Sequence, residues 1–319
     1  MGSKKTILIT GAAGNLGGLL AKHLLPEDID LHLLIHRRDI SPELKNQPNV
    51  RVFRADLAEK ESLLEALTGV DVVIHFAGVL FKARPEKFLP VTNTEYFKNL
   101  SEAAADAGVK RIILVSFPHV EGETSPEHPA TGRLDGHPQS VHARTRLEEE
   151  KHLFSSCAPR GIEAVSLRVG MVYGRDILMI DTARWFSKHK ILGIWKKPTS
   201  IHLISTVDFL HATRSALIND NIRGIYHLGD EGIVTLQEFL DEACAQWKTC
   251  KPWRMPSWMI FTAARLFEAW SAVFGTRSPL TVDFIRIGMA SYYGDTTRMR
   301  QELLSELTYP TFREGIQTI

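Results

Sequence analysis

Three cysteines, Cys157, Cys244 and Cys250, are all the thiols in 319 residues. They are too few and too irregularly spaced for a disulfide framework, and none forms a CxxC pair with metal-ligand spacing. A reducing, cytoplasmic setting without a metal site is the expectation. No apolar run reaches about 18 residues, which argues against a membrane-spanning helix and against integral membrane association. An excess of charge of either sign is missing as well: 38 Lys plus Arg stand against 37 Asp plus Glu. With no basic stripe evident, non-specific attraction to nucleic acid or anionic lipid has little footing, and a small-molecule partner is expected. The opening MGSKKTILIT carries only a short apolar run that leads into a glycine-rich turn, as a first strand does and a signal peptide does not. Internal repeats and low-complexity tracts are absent too.

What is present is alternation. TILIT, a helical stretch near 14–25, DLHLLI, VRVF, KESLLEAL and DVVIHFAG follow one another, then a long helical pattern near 88–108 leads to KRIILVS, and a helix near 140–158 precedes EAVSLRV. Strands separated by crossover helices predict an α/β fold with a parallel sheet. Six or seven strands are accounted for by residue 170, which places a dinucleotide-binding domain at 1–170. Beyond it the regularity breaks up, and 171–319 reads as a smaller substrate-binding lobe, with segments near 201–230 stitched back to the main sheet. Within that lobe, PSWMIFTAARLFEAWSAVFG at 256–275 is the most apolar helix, interrupted by Arg265 and Glu268. Packing on the second lobe is the expected role, with a membrane-surface or substrate-tunnel element as the alternative.

TGAAGNLG at 10–17 joins the first strand to the first helix. Gly11 permits the tight turn, Gly14 lets the backbone approach a pyrophosphate, Gly17 lets helix and strand pack closely, and the helix N-terminus at Asn15 and Leu16 faces the phosphates. A glycine triplet alone is weak evidence; in strand-turn-helix context it is strong. Further pieces follow in order: ADL at 55–57, HFAG at 75–78, TNTEYFKNLSEAA at 92–104, LVS at 114–116, LRVGMVYG at 167–174 and ELTYPTFREGI at 306–316. Together these resemble the extended short-chain dehydrogenase/reductase family, in its atypical forms and its epimerase/dehydratase and 3β-hydroxysteroid dehydrogenase branches. The resemblance implies a Rossmann-type doubly wound parallel sheet with a smaller, mostly helical C-terminal lobe. It also implies a nicotinamide dinucleotide in contact with Asp56 and Leu57 at the adenine, Phe76, Ala77 and Gly78 under the ribose, and Asn93, Ser116, Val169 and Met171 further along. Family members often dimerise through the helices that fall here at 88–108 and 140–158, so a homodimer is an expectation.

Cofactor choice turns on the end of the second strand, where an acid accepts hydrogen bonds from the 2′-hydroxyl of NAD and an arginine attracts the 2′-phosphate of NADP. The sequence there is LLIHRRD, with no acid before Asp39. Arg37, with Arg38 second, predicts NADP(H) as the preferred cofactor and NAD(H) as the alternative; the bland reading is two solvated arginines at a loop start.

The family surrounds the nicotinamide with a Ser or Thr, a Tyr and a Lys, the last two spaced YxxxK. The resemblance places Phe117 at the serine, His142 at the tyrosine and Arg146 at the lysine, so all three are changed. Arg146 keeps a charge and donors for the ribose but passes no proton on. As the catalytic candidates, His142 is either an acid-base group or an incidental helix residue, and Arg146 either a ribose ligand or a partner of Glu149 or Glu150. The expected function is an atypical NADP(H)-dependent reductase of a small, largely apolar carbonyl or enone. Two alternatives stand beside it: a redox-neutral isomerase, cyclase or lyase, and a non-catalytic NADP(H) sensor.

Overall fold

In the computed structural model, which describes residues 4–79, 82–274, 278 and 280–319, the alternating runs become a seven-stranded parallel sheet. Its strands are β1 (Lys5–Thr10), β2 (Ile29–Ile35), β3 (Val50–Arg54), β4 (Val72–His75), β5 (Arg111–Ser116), β6 (Glu163–Val169) and β7 (Gly224–Leu228). Their spatial order is β7-β6-β5-β4-β1-β2-β3, every neighbouring pair parallel. The chain leaves β1 toward one edge and returns at β4 toward the other, so a crevice opens between their carboxyl ends, where open α/β sheets hold ligands.

Strand periodicity fills both faces. Ile7 and Ile9 of β1 point into a cluster with Leu20, Leu24 and Phe209, while Leu8 between them joins Val73, Phe97, Leu100 and Ile112 on the opposite face. Helices therefore have to cover the sheet twice, which is why the strands read as continuous apolar runs. Each fully buried Leu or Ile contributes roughly 1.5–3 kcal/mol. The covering helices are α1 (Asn15–Leu24), α2 (Tyr96–Asp106), α3 (Val141–His152) and, after an outlying α4 (Leu178–Lys188), α5 (Thr206–Ile218). Both α2 and α3 adjoin single π-helical turns, at Pro90–Glu95 and Leu153–Cys157.

Past β6 the chain builds the second lobe from short strand pairs and helices, namely α6 (Leu236–Gln246), α7 (Ser257–Phe274) and α8 (Val282–Met289). Two carboxylates bind distant segments to these elements. Asp208, in the first turn of α5, accepts the backbone N–H groups of Thr308 (2.6 Å) and Tyr309 (3.1 Å), so the C-terminal turn is clipped to the sheet helix. Asp283 of α8 accepts the Val141 N–H (3.3 Å) and so adds to the Ser140 cap of α3.

The apolar helix departs from expectation. Only one edge of α7, with Ile260, Ala264 and Ser271, is buried against the lobe. Most of its large apolar side chains, Trp258 and Trp270 among them, stand in solvent, so packing on the second lobe accounts for the smaller part of its apolar surface.

Candidate active site

Thr10 ends β1, and Gly11 turns the chain with a φ of +72°, a left-handed conformation that favours glycine. A Cβ at Gly11 would stand 3.0 Å from the Ala77 nitrogen; at Gly14 and Gly17 it would stand 2.9 and 2.6 Å from the Gly11 carbonyl oxygen. These positions leave a cradle that side chains would fill. Gly14 caps α1 without a side chain, and no acid sits in the first turn. The first amides, at Asn15, Leu16 and Gly17, lie at the positive end of the helix dipole without intrahelical partners. Shape and charge together fit a pyrophosphate. The Asn15 side chain is spent elsewhere: it donates to the Asp176 carbonyl (2.5 Å) and accepts the Leu178 N–H (3.0 Å), tying the cradle to the second lobe.

At the end expected to hold the adenosine, His36 lies 3.5 Å from Asp56, whose other carboxylate oxygen accepts the Ala58 N–H at 3.0 Å. Leu57 packs inward against the core. Arg37 and Arg38 are exposed and form no ion pair among the described residues. Across the crevice, Phe76 meets Phe209 edge-on at 6.4 Å, and the Ala77 N–H points at the Thr10 hydroxyl at 3.4 Å. The same hydroxyl is 2.8 Å from His75 Nδ1, and burial holds that imidazole down at about 3, with the Arg146 charge adding to the effect. Val169 is buried at the end of β6, and Met171 lies beyond it, half-buried, in the strand pair with Leu203–Ser205.

A strongly polar helix is turned inward. VHARTRLEEEKH forms α3, yet Thr145, Arg146, Glu149 and Glu150 are all buried. Arg146 donates to Glu149 at 2.7 Å and to the Ala77 carbonyl at 3.3 Å, and a Cβ at Gly78 would come within 2.5 Å of its guanidinium. So Arg146 pairs with Glu149 below the surface while its guanidinium underlies the loop expected beneath the ribose. Burial pushes the Glu149 carboxyl up to about 7 despite that partner. Asn93, in the π-helical turn, donates to the Thr145 hydroxyl at 3.0 Å.

His142 stands edge-on to Phe117, ring centroids 4.8 Å apart, and the His119 ring lies 5.0 Å from the same phenyl ring. Burial, with Arg146 and His119 nearby, lowers His142 to about 3, and burial lowers His119 to about 4. Both are neutral at pH 7. His119 is used by the fold, its Nε2 bonding the Ala290 carbonyl at 3.0 Å, whereas His142 Nδ1 has no partner among the described residues. The Ser116 hydroxyl points away from the crevice and donates to Glu150 at 2.5 Å.

Sequence reasoning missed what Glu150 is for. It also accepts from Ser166 (2.9 Å) and from Arg168 Nη2 (2.6 Å), and Arg168 donates in addition to Glu121 and to the Arg133 carbonyl. Glu121 in turn accepts the Gly132 and Arg133 N–H groups at 2.7 and 3.0 Å. Burial alone would raise Glu121; His227, Arg168 and the Gly132 and Thr131 amides hold it at about 2. One fully buried guanidinium thus anchors the 118–137 loop beside the crevice. A charged residue at the inward position of an apolar strand, LRV, was the available signal.

Among the described residues no group of three or more His, Cys, Asp or Glu side chains could hold a metal ion, and no helix is long and apolar enough to cross a membrane. An open groove of about 380 Å³ lies between Glu86, Pro90, Glu95 and the α3 residues Arg144 and Glu148, on the face of the expected dimer and away from the crevice.

Residues 7–229 match the model of the NAD dependent epimerase/dehydratase family. Among curated proteins, uronate dehydrogenase of Pseudomonas syringae is 32% identical over 164 residues (51% of this chain, 58% of the relative). That of Pseudomonas putida is 32% identical over 186 residues (57% and 66%). The chain thus matches less than two thirds of the length of either. Among solved structures, UDP-glucose 4-epimerase of Thermus thermophilus in complex with NAD has a TM-score of 0.76 at 20% identity, covering 98% of this chain and 97% of the other.

Proposed function

The chain belongs to the NAD-dependent epimerase/dehydratase family, and from that premise we propose that it is an NADP(H)-dependent reductase of a small, largely apolar carbonyl or enone. The carrying observation is a complete nucleotide cradle that ends on two unpaired arginines, beside a reaction site stripped of its serine and tyrosine hydroxyls. The amides of α1 hold the pyrophosphate, Asp56 and Leu57 the adenine, Arg37 and Arg38 the 2′-phosphate, and Arg146 the ribose hydroxyls. The nicotinamide, when bound, supplies a hydride. Phe117 and the edge of His142 offer an apolar wall, which disfavours a polyhydroxylated substrate such as the uronate named for the two relatives. His142, held neutral, serves as a hydrogen-bond donor to the acceptor oxygen, and the proton comes from water.

The electrostatics of His142 weigh against a redox-neutral isomerase or lyase, because an imidazole held near 3 does no proton shuttling at neutral pH. They favour, as a second reading, a nucleotide sensor without turnover. NADPH oxidation with a panel of ketones and enones separates the two: the reductase consumes it, the sensor does not.

Calorimetry is expected to give tighter binding of NADPH than of NADH. Arg37→Ala with Arg38→Ala should weaken NADPH by about tenfold to a hundredfold, the value of a charge-assisted hydrogen bond or two, and leave NADH unchanged. NADH binding more tightly in the unmodified protein overturns the cofactor assignment. For turnover, His142→Phe should raise KM about tenfold while kcat stays within a few-fold, since it removes one hydrogen bond and no acid. Loss of kcat with KM unchanged would make His142 the proton donor instead.

A further inference from the structure

Exposed large apolar side chains are not scattered over this protein. Twelve of the fifteen found among the described residues lie in two stretches of the second lobe, 178–191 and 253–274. The two stretches are one surface. Residues 253–255 pair in parallel with 193–195, and the Trp253 indole donates to the Lys190 carbonyl at 3.1 Å. On α7, Trp258 and Leu266 are each 68% exposed, Trp270 62% and Val273 77%. With about 100° between successive residues, the exposed apolar side chains of α7 fall on roughly half of its circumference, opposite Ile260, Ala264 and Ser271. An exposed apolar face this continuous marks an interaction surface.

Charge identifies the partner. The stretches 178–197 and 248–274 contain nine Lys or Arg and two acids, Asp181 and Glu268, against an almost exact balance in the whole chain. Glu268 is turned to the Val282 N–H at 2.9 Å. Arg254 and Lys251 face Asp241, at 2.7 and 3.6 Å. The other seven, Arg184, Lys188, Lys190, Lys196, Lys197, Lys248 and Arg265, form no ion pair among the described residues. Four of the six tryptophans of the chain, at 185, 253, 258 and 270, are exposed on this surface. An apolar helical face rimmed by cations and indoles suits a bilayer interface, where indole rings lie at headgroup level and lysines meet anionic lipid.

We propose that α7 and the adjoining 184–197 segment seat the protein peripherally on an anionic phospholipid surface. The helix lies in the plane of the interface and spans nothing. Net charge hid this surface because the compensating acids lie elsewhere on the chain. The inference is independent of any nucleotide chemistry.

Sedimentation with sucrose-loaded vesicles tests it. The full chain is expected to partition about tenfold more strongly to phosphatidylcholine/phosphatidylserine vesicles than to pure phosphatidylcholine, and to be released by high salt. Its tryptophan emission should shift to the blue on binding. Trp258→Ser with Trp270→Ser should lower the partition coefficient about tenfold, and Lys188→Glu with Lys190→Glu should do so on the serine lipid alone. These side chains are exposed, so the melting temperature should not move, and circular dichroism verifies that. No binding of the unmodified chain to either vesicle overturns the proposal. So does equal binding to both, or a dimer in light scattering that Trp258→Ser with Trp270→Ser dissociates in the absence of lipid affinity, which would make this face a contact between two copies.

Discussion

Replacing Arg168 by methionine is expected to destabilise the protein by about 3–5 kcal/mol, because it leaves buried Glu150 without its cation and Glu121 with only the Arg133 guanidinium, at 3.5 Å. Arg168 and Glu150 are both fully buried, and Glu121 is nearly so. Ser116 and Ser166 still donate to Glu150 in the variant, and the 131–133 amides still donate to Glu121, but hydrogen bonds from neutral groups do not cancel a charge in an apolar interior. Urea unfolding followed by circular dichroism measures the loss. Adding Glu150→Met to Arg168→Met should recover about half of it, since a buried pair replaced by apolar groups costs far less than a broken one. A single variant within about 1 kcal/mol of the parent would mean that water reaches these carboxylates. Because Glu121 holds the 131–133 backbone, the single variant should also loosen the loop beside Phe117, and amide exchange in 118–137 would report it.

Stability should also peak near pH 6.5 and fall on both sides. His75 and His142 are held at about 3, and His119 and His202 at about 4, in each case chiefly by burial. Their folded values lie below the unfolded value near 6.5, so below that pH the unfolded chain takes up four protons that the native state refuses, and stability drops with acid. Two carboxyls work in the opposite sense. Burial raises Glu149 to about 7 and Asp230 to about 8, so the native state keeps two protons that the unfolded chain releases above about pH 4.5. The net difference grows from near zero at pH 6.5 to about two protons at pH 5.5, equal to about 1.5 kcal/mol lost in the first pH unit and about 4 kcal/mol by pH 4.5. Above pH 6.5 the histidines are neutral in both states, and the two carboxyls alone lower stability as the native state gives up their protons. Urea midpoints from pH 4.5 to 8.5 test the curve, and a profile flat from 6.5 to 4.5 would show that the buried rings charge within the native fold. His75→Phe should reduce the acid slope by about one proton if its ring packs as apolar surface.

The alternation of strands and helices, the parallel sheet it implies and the glycine cradle were legible in the chain because each is read from a local pattern, whereas the order of the strands came only with the folded sheet. Apolar runs of strand length separated by helical periodicity leave a parallel sheet as the arrangement that buries both faces, and Gly11, Gly14 and Gly17 specify a turn whose geometry needs no distant partner. Asp208 and the C-terminal turn, 100 residues apart, come together only in the folded chain. Residue type also misleads where burial depends on neighbours far away in sequence. Arg146 of α3 reads as either a ribose ligand or a partner of Glu149 or Glu150, and only the fold brings Arg168 and Ser116 from other strands and Ala77 from the loop after β4 to meet the charges of that helix, so its polar side faces the sheet. His142 reads as a group that titrates near neutrality, and only its enclosure with Phe117 and Arg146 takes the proton away. For α7 the outcome is reversed: an apolar sequence suggests a buried helix, yet the lobe offers contact to a single edge, and the remaining indoles and aliphatic chains stay in solvent. Composition and spacing determined the scaffold and the nucleotide cradle; which charges are buried and which apolar groups are exposed was decided by long-range packing, since burial belongs to the assembled surface and not to a residue.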